Sequence, residues 1–333
     1  MKGIVGPALV LLFLSPAVGE LLSGSAPPVE FFHPVGFVLL TVLYGGGAIL
    51  IRELTQRWGK GWPTLLVLGA AYGIAEEALM CKSFFDPNWM DLNALQGYGR
   101  WVGVNWPWGV LLTIYHAVFS IAIPILLVGL IFPERRREPW IGRKTFWAVL
   151  ALWIADGVFI YAFISAYRPP MTQFAVALLV TVGLVVLAWR LPKGALAARD
   201  REATRPLWCR AMAFTGTFCL FLIAQGLPNA GAHPMLTMGL MVGLVILVGW
   251  VVLRGFSGVL QSDRLQFALA SGALALFILI SPIQELSPHR PDNTSGMMLV
   301  GLAFLLFLFW LGRRIRTRER ALSAPHDGTS RAA

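Results

Sequence analysis

Apolar residues in this chain run in blocks of about 20, the length a helix needs to cross a hydrocarbon core of roughly 30 Å. Ten such blocks follow one another, at 4–22, 35–52, 62–83, 107–132, 146–166, 173–190, 208–227, 235–253, 265–284 and 296–312. The pattern predicts an all-α integral membrane protein of about ten transmembrane helices. Residues 1–312 form a single polytopic membrane domain, and 313–333 a basic, disordered cytoplasmic tail. The first block has two readings. Met1-Lys2, an apolar run and small residues near Gly19 and Ala26 suit a signal peptide, while Pro7 and Pro16 are also tolerated in a spanning helix.

Composition narrows the class further. With 57% hydrophobic and 13% charged residues, and a mean hydropathy of +0.69, the apolar positions must face lipid. Charge then orients the bundle, because Lys and Arg are retained on the cytoplasmic side. With both termini cytoplasmic, all 27 basic residues except Lys82, Arg100, Arg168 and Arg290 fall on that side. The expected location is the plasma membrane, multi-pass, with the lipid bilayer as the main partner.

The net charge of +10 is therefore a topology signal. It sits at helix ends, and no aromatic-interleaved basic region exists to hold a nucleic acid, so no nucleic-acid partner is expected. Three cysteines, Cys81, Cys209 and Cys219, give neither a disulfide framework nor a metal-ligand spacing, and no metal or other cofactor is expected. Two external segments stand out. Residues 84–106 mix Trp89, Tyr98, Trp101 and Trp106 with Asp86, Asp91 and Arg100, which suits an interfacial aromatic belt or a lid over the outer mouth. Residues 285–295 contain the sequon Asn293-Thr294-Ser295.

The chemistry lies inside the membrane. Glu76 and Glu77 fall in the third apolar block, where an ionisable side chain is expensive. Gly69 and Gly73 have the spacing of a close helix contact, and Gly73, Glu76, Glu77 and Met80 continue the same helix face. On the fourth block Thr113, His116 and Ser120 form a polar stripe. Counting turns places Glu77, His116 and Asp156 in the outer half of the bilayer, with Glu20 at the entrance. Gly239 and Gly243 suggest a second close contact.

Glu76, Glu77 and His116 are the candidate catalytic residues, and Asp156, Thr113, Ser120 and Glu20 the candidate substrate-binding ones. A carboxylate beside an imidazole can activate water, carry a proton or coordinate a cation, or the groups can simply pair with each other and Lys82. The first use is hydrolysis and points to a membrane peptide. The second is transport and points to a small solute.

The double glutamate followed by a histidine on the next helix resembles the intramembrane CAAX proteases and bacteriocin-processing enzymes, over about residues 62–132. That resemblance implies water activation by Glu77 or its neighbour, assistance from His116, and a membrane-associated peptide as substrate. Three positions depart from the family pattern, so the resemblance also fits an inactive relative of these enzymes. Cys81 stands where an arginine is expected, with Lys82 one place later; Leu112 replaces a phenylalanine; and His289…Asn293 keeps the later spacing but is interrupted by Pro291. The string Gly255-Phe256-Ser257-Gly258 looks like the serine motif of rhomboid proteases. The predicted topology parts Ser257 from His289 by a membrane of roughly 30 Å, so no Ser–His pair forms.

The orientation is testable by labelling. A cysteine placed at Met90 should react with a membrane-impermeant maleimide on intact cells, and one at Arg137 only after permeabilisation. The reverse pattern would invert the topology.

Overall fold

A computed structural model describes residues 6–193, 205–255, 262–288, 290 and 292–323. Its helices are α1 (Pro7–Leu21), α2 (Pro34–Arg57), α3 (Trp62–Met80), α4 (Trp106–Ile131), α5 (Arg143–Phe163), α6 (Met171–Arg190), α7 (Pro206–Asn229), α8 (Pro234–Leu253), α9 (Asp263–Leu286) and α10 (Met297–Ser323). Among the described residues, α2 to α10 are long and apolar enough to cross a membrane, and α1 is shorter. One hairpin, β1 (Arg100–Trp101) and β2 (Val104–Asn105), is antiparallel. The all-α membrane fold matches the sequence pattern.

Several helices begin as the sequence dictates. α1, α2, α3, α4, α7 and α8 carry proline in their first turn, where its fixed φ suits the helix and its missing N–H removes an orphan donor. Asn105 caps α4 by accepting from Trp108 N, and Ser262 caps α9 by accepting from Leu265 N. These caps satisfy backbone groups that lipid cannot.

α4 is the centre of the bundle. Its most apolar stretch is 83% buried, against 11% for α6 and for α8, and it touches α1, α2, α3, α8, α9 and α10. On one side α5 packs against α2 and α3, and α6 against α3; on the other, α7 joins α8 and α9, and α10 joins α9. Phe119, Leu127 and Leu130 of α4 meet Val18 and Leu22, then Leu274 and Phe277 of α9, then Phe304 and Leu311 of α10. Because lipid tails are as apolar as leucine, close packing rather than water exclusion decides these contacts.

Glycine sets how near the helices come. A Cβ on Gly69 would lie 2.9 Å from Ala117 Cα, and one on Gly73 3.0 Å from His116 Cβ. The expected contact between α3 and α4 is therefore present. Gly239 and Gly243 differ, since a Cβ there meets nothing within 4 Å. Their helix, α8, lies at the periphery, so spacing alone did not make a contact.

The two faces are also built from particular pairs. On the basic face Asp263 binds Arg136 at 2.8 Å and Arg318 at 2.6 Å. That contact, with Leu311 and Ile315 buried, carries α10 through the arginines to Ser323, so helix replaces the expected disordered tail over 313–323. The tail beyond Ser323 and Phe256–Gly258 of the rhomboid-like string lie outside the described residues, as does His289. On the opposite face the 84–106 segment folds down as a cover. Leu92 and Leu95 are buried, Arg100 donates to the carbonyls of Phe85, Asp86 and Gly103, and Trp101 stacks on Trp106 at 5.5 Å.

Gly69→Val should lower the thermal midpoint by the equivalent of about 1–3 kcal/mol through overpacking, whereas Gly239→Val should leave it unchanged. Equal effects at the two sites would refute the packing described.

Candidate functional site

α1 to α4 each widen into a π turn, at Ala17–Leu21, Thr41–Gly46, Ala75–Met80 and His116–Ala122. Such turns interrupt the regular ladder of backbone hydrogen bonds and often mark functional sites. Here they hold Glu20, Tyr44, Glu76 with Glu77, and His116 with Ser120. Side chains bind carbonyls in and beside these turns. Ser15 Oγ lies 3.1 Å from Tyr44 O and 2.7 Å from Ser120 O. Tyr115 OH donates to Gly19 O at 2.5 Å, and Trp153 Nε1 to Leu43 O at 3.0 Å. The turns are therefore tied to one another through groups that would otherwise be unsatisfied in an apolar interior.

His116 sits where they meet. Its Nε2 lies 2.8 Å from Glu77 Oε1, while Nδ1 lies 3.0 Å from Ser120 Oγ and 3.2 Å from Glu76 Oε2. The second oxygen of Glu77 accepts from Ser83, whose Oγ accepts in turn from Trp108 Nε1 at 3.1 Å. Glu20 accepts from the hydroxyl of Tyr44. The rings of Tyr44, Tyr72 and Tyr115 stand 5.8, 6.0 and 5.5 Å from the imidazole. Tyr72 Oη is buried with no hydrogen-bond partner among the described residues.

Glu76 is 2%, Glu77 7% and His116 2% exposed. Two carboxylates buried this deeply require compensation, and the imidazole between them supplies it. Glu76 and Glu77, three and four residues beyond Gly73, share the face of α3 that meets α4, and both reach the one ring. The bare Cα of Gly73 leaves room for that ring.

The remaining candidates divide. Glu20 and Ser120 join the cluster. Thr113 turns its hydroxyl onto Gly109 O at 2.7 Å, within its own helix, and lines an apolar cleft that faces α6 and α8. Asp156 is buried on α5, with Oδ2 unpartnered among the described residues, and makes no described contact with the glutamates or His116. Lys82 points away as well. Its Nζ donates to Tyr161 O and Ser165 O, both at 2.7 Å, where a cation suits the carbonyl end of α5. Tyr44, Tyr72, Tyr115, Ser83 and Ser15 escaped the sequence reading. The run Gly45-Gly46-Gly47 after Tyr44 was the available signal, for a Cβ on Gly45 would fall 2.1 Å from Leu12 O.

Glu76, Glu77 and His116 also offer one ligand atom each within 4.8 Å of one another, a set able to hold a divalent cation. Both ring nitrogens already face oxygens at hydrogen-bond or ion-pair distance. That geometry suits a shared proton, and a metal would have to displace one from the ring. On the side of the 84–106 cover, a cavity of about 590 Å³ is bounded by Trp108, Leu111, Leu112 and Tyr115. Trp108 and Tyr115 thus touch both the cavity and the polar cluster.

A sequence model of an uncharacterized membrane protein family matches residues 9–326, which include the π turns of α1 to α4. No curated protein and no solved structure matches the chain.

Ser15→Ala removes the hydroxyl that joins two π turns and should destabilise the protein by about 1–3 kcal/mol. An unchanged unfolding midpoint would show that these carbonyls do not depend on Ser15.

Proposed function

The chain belongs to this uncharacterized membrane protein family, and we propose that it is an intramembrane hydrolase acting on a membrane-associated peptide. One observation carries the reading: the buried Glu77–His116 pair, 2.8 Å apart, is parted from a cavity on the expected outer face by Trp108 and Tyr115, which touch both. In this scheme Glu77 removes a proton from water and the resulting hydroxide attacks the peptide carbonyl. As Glu77 takes up that proton it releases Nε2 of His116, whose N–H, with the buried Tyr72 hydroxyl near the imidazole, stabilises the oxyanion. The proton then passes to the leaving amine as the carbon–nitrogen bond breaks.

The order of the double glutamate and the histidine supports the same chemistry through its resemblance to CAAX proteases. The departures define what this chain does differently. Lys82 caps α5 instead of entering the site, and Asp156 makes no described contact with the glutamates or His116. Ser120 and Glu76 orient Nδ1 of His116 in place of a second histidine. Thr113 lines a separate apolar cleft, so the substrate would pass instead by Trp108 and Tyr115, with Glu20 held in the cluster by Tyr44. In the cell the protein would sit in the plasma membrane, with both termini cytoplasmic.

A second reading rests on a different feature. Two runs of polar groups, Glu20 with Tyr44 and Glu76 through His116 and Glu77 to Ser83, suit proton movement, as in a proton-linked transporter. Flux of a solute in proteoliposomes that changes with pH and is altered by His116→Ala would favour it.

In liposomes containing a panel of fluorogenic membrane peptides, Glu77→Gln should reduce cleavage by about 100-fold or more, while Asp156→Asn stays near wild type. Wild-type rates in both Glu77→Gln and Glu76→Gln would sink the hydrolase reading.

A further inference from the structure

The 590 Å³ cavity has a chemistry of its own. Its wall carries Tyr115, Phe221 and Phe277, whose rings pack edge to face with centroids 5.6–6.3 Å apart, and Trp108 completes it. Aromatic faces attract cations. Glu30, Asp91, Asp292 and Arg290 stand at the mouth. Arg290 is already neutralised, binding Asp292 at 2.5 Å and donating to Gly24 O at 2.7 Å. Neither Glu30 nor Asp91 is in an ion pair among the described residues. Gln284, also on the wall, gives its Nε2 to Ser23 O and leaves Oε1 buried and unpartnered. The cavity thus presents acceptors and negative charge in a chain whose net charge is +10.

We propose that this cavity binds a cationic group attached to an apolar body, an ammonium or guanidinium seated between the aromatic wall and the mouth carboxylates. The proposal rests on the hydrolase reading in one respect: it names the substrate feature that would bring the peptide to Glu77. Cation binding itself does not require the chemistry. A basic peptide side chain and an amine lipid headgroup both carry such a group.

The titration of the mouth supports it. The Arg290 hydrogen bond holds the Asp292 carboxyl below its ordinary range. Loss of hydration pushes Asp91 up to about 6, and repulsion from Glu77 and Asp292 adds to this, with Arg290 opposing. Glu30 is raised by loss of hydration and by Asp292, again against Arg290. A raised carboxyl gives up its negative charge as pH falls through its own value, so the mouth is more negative at about pH 7 than at about pH 5.

The test is direct binding to the full-length protein in a neutral detergent, with naphthylmethylamine, naphthylmethanol and naphthoate as probes. The amine should bind at least about ten-fold more tightly than the alcohol, which corresponds to about 1.4 kcal/mol, and naphthoate should bind more weakly still. Amine affinity should fall from about pH 7 to about pH 5, and at least about five-fold in the double variant Glu30→Gln with Asp91→Asn. Displacement by Phe-Lys amide would assign the cation to peptides, and displacement by glycerophosphoethanolamine would assign it to lipid headgroups. Equal affinity for amine and alcohol, or unchanged amine binding in the double variant, would overturn the proposal. Binding that persists in Glu77→Gln and Glu76→Gln while cleavage is unaffected by either change would remove the hydrolase reading and leave this one standing.

Discussion

Water does not solvate the middle of a bilayer, so every polar group placed there must find its partner inside the protein. That constraint accounts for the centre of this bundle. Four helices widen into π turns at the level where they carry carboxylates, hydroxyls and an imidazole. Backbone oxygens in and beside those turns are taken up by Ser15, Tyr115 and Trp153, and the carboxylates by His116, Ser83 and Tyr44. Remove one member and a neighbour loses its partner in a place where no solvent replaces it. The polar centre and the packing of α1 to α4 are therefore one problem with one solution.

α4 is the element on which that solution turns. It brings His116 against the bare face of Gly73 on α3 and sends Tyr115 to the carbonyl of Gly19 on α1. Lower down it buries Phe119, Leu127 and Leu130 against α9 and α10. The second half of the chain contributes no described charged side chain to the cluster around His116. It covers α4, and with Phe221 and Phe277 it supplies one wall of the cavity beside the cluster. A rigid helix held on all sides can keep an imidazole within hydrogen-bond distance of a carboxylate, as an active site needs.

Much of this was legible in the sequence, because blocks of apolar residues have only one stable use at this length. The meeting of Glu77 and His116 followed from counting turns from the helix ends, and the approach of α3 to α4 from the spacing of Gly69 and Gly73. Other features were hidden for physical reasons. A π turn leaves no composition signature, so the regular-helix count, which put both glutamates on the face of Gly73, did not show the widened backbone that carries them. It also placed Asp156 at the right depth, but depth fixes only one coordinate, and rotation about α5 leaves that carboxyl without a described contact to the cluster. Lys82 read as a partner for the glutamates because they are close in sequence. Its backbone, in the left-handed region with φ 67°, turns the side chain to the end of α5 instead. Gly239 and Gly243 had a contact spacing with no helix opposite them.

The most direct test of the central claim is nitrogen NMR of the His116 side chain in nanodiscs, compared among wild type, Glu76→Gln and Glu77→Gln. If the imidazole is held between the two carboxylates, Glu77→Gln should shift chiefly the Nε2 resonance and Glu76→Gln chiefly Nδ1, with the protein folded in each case. Resonances that stay at their wild-type positions in both variants would mean that His116 does not join the two glutamates, and the functional centre described around it would not exist.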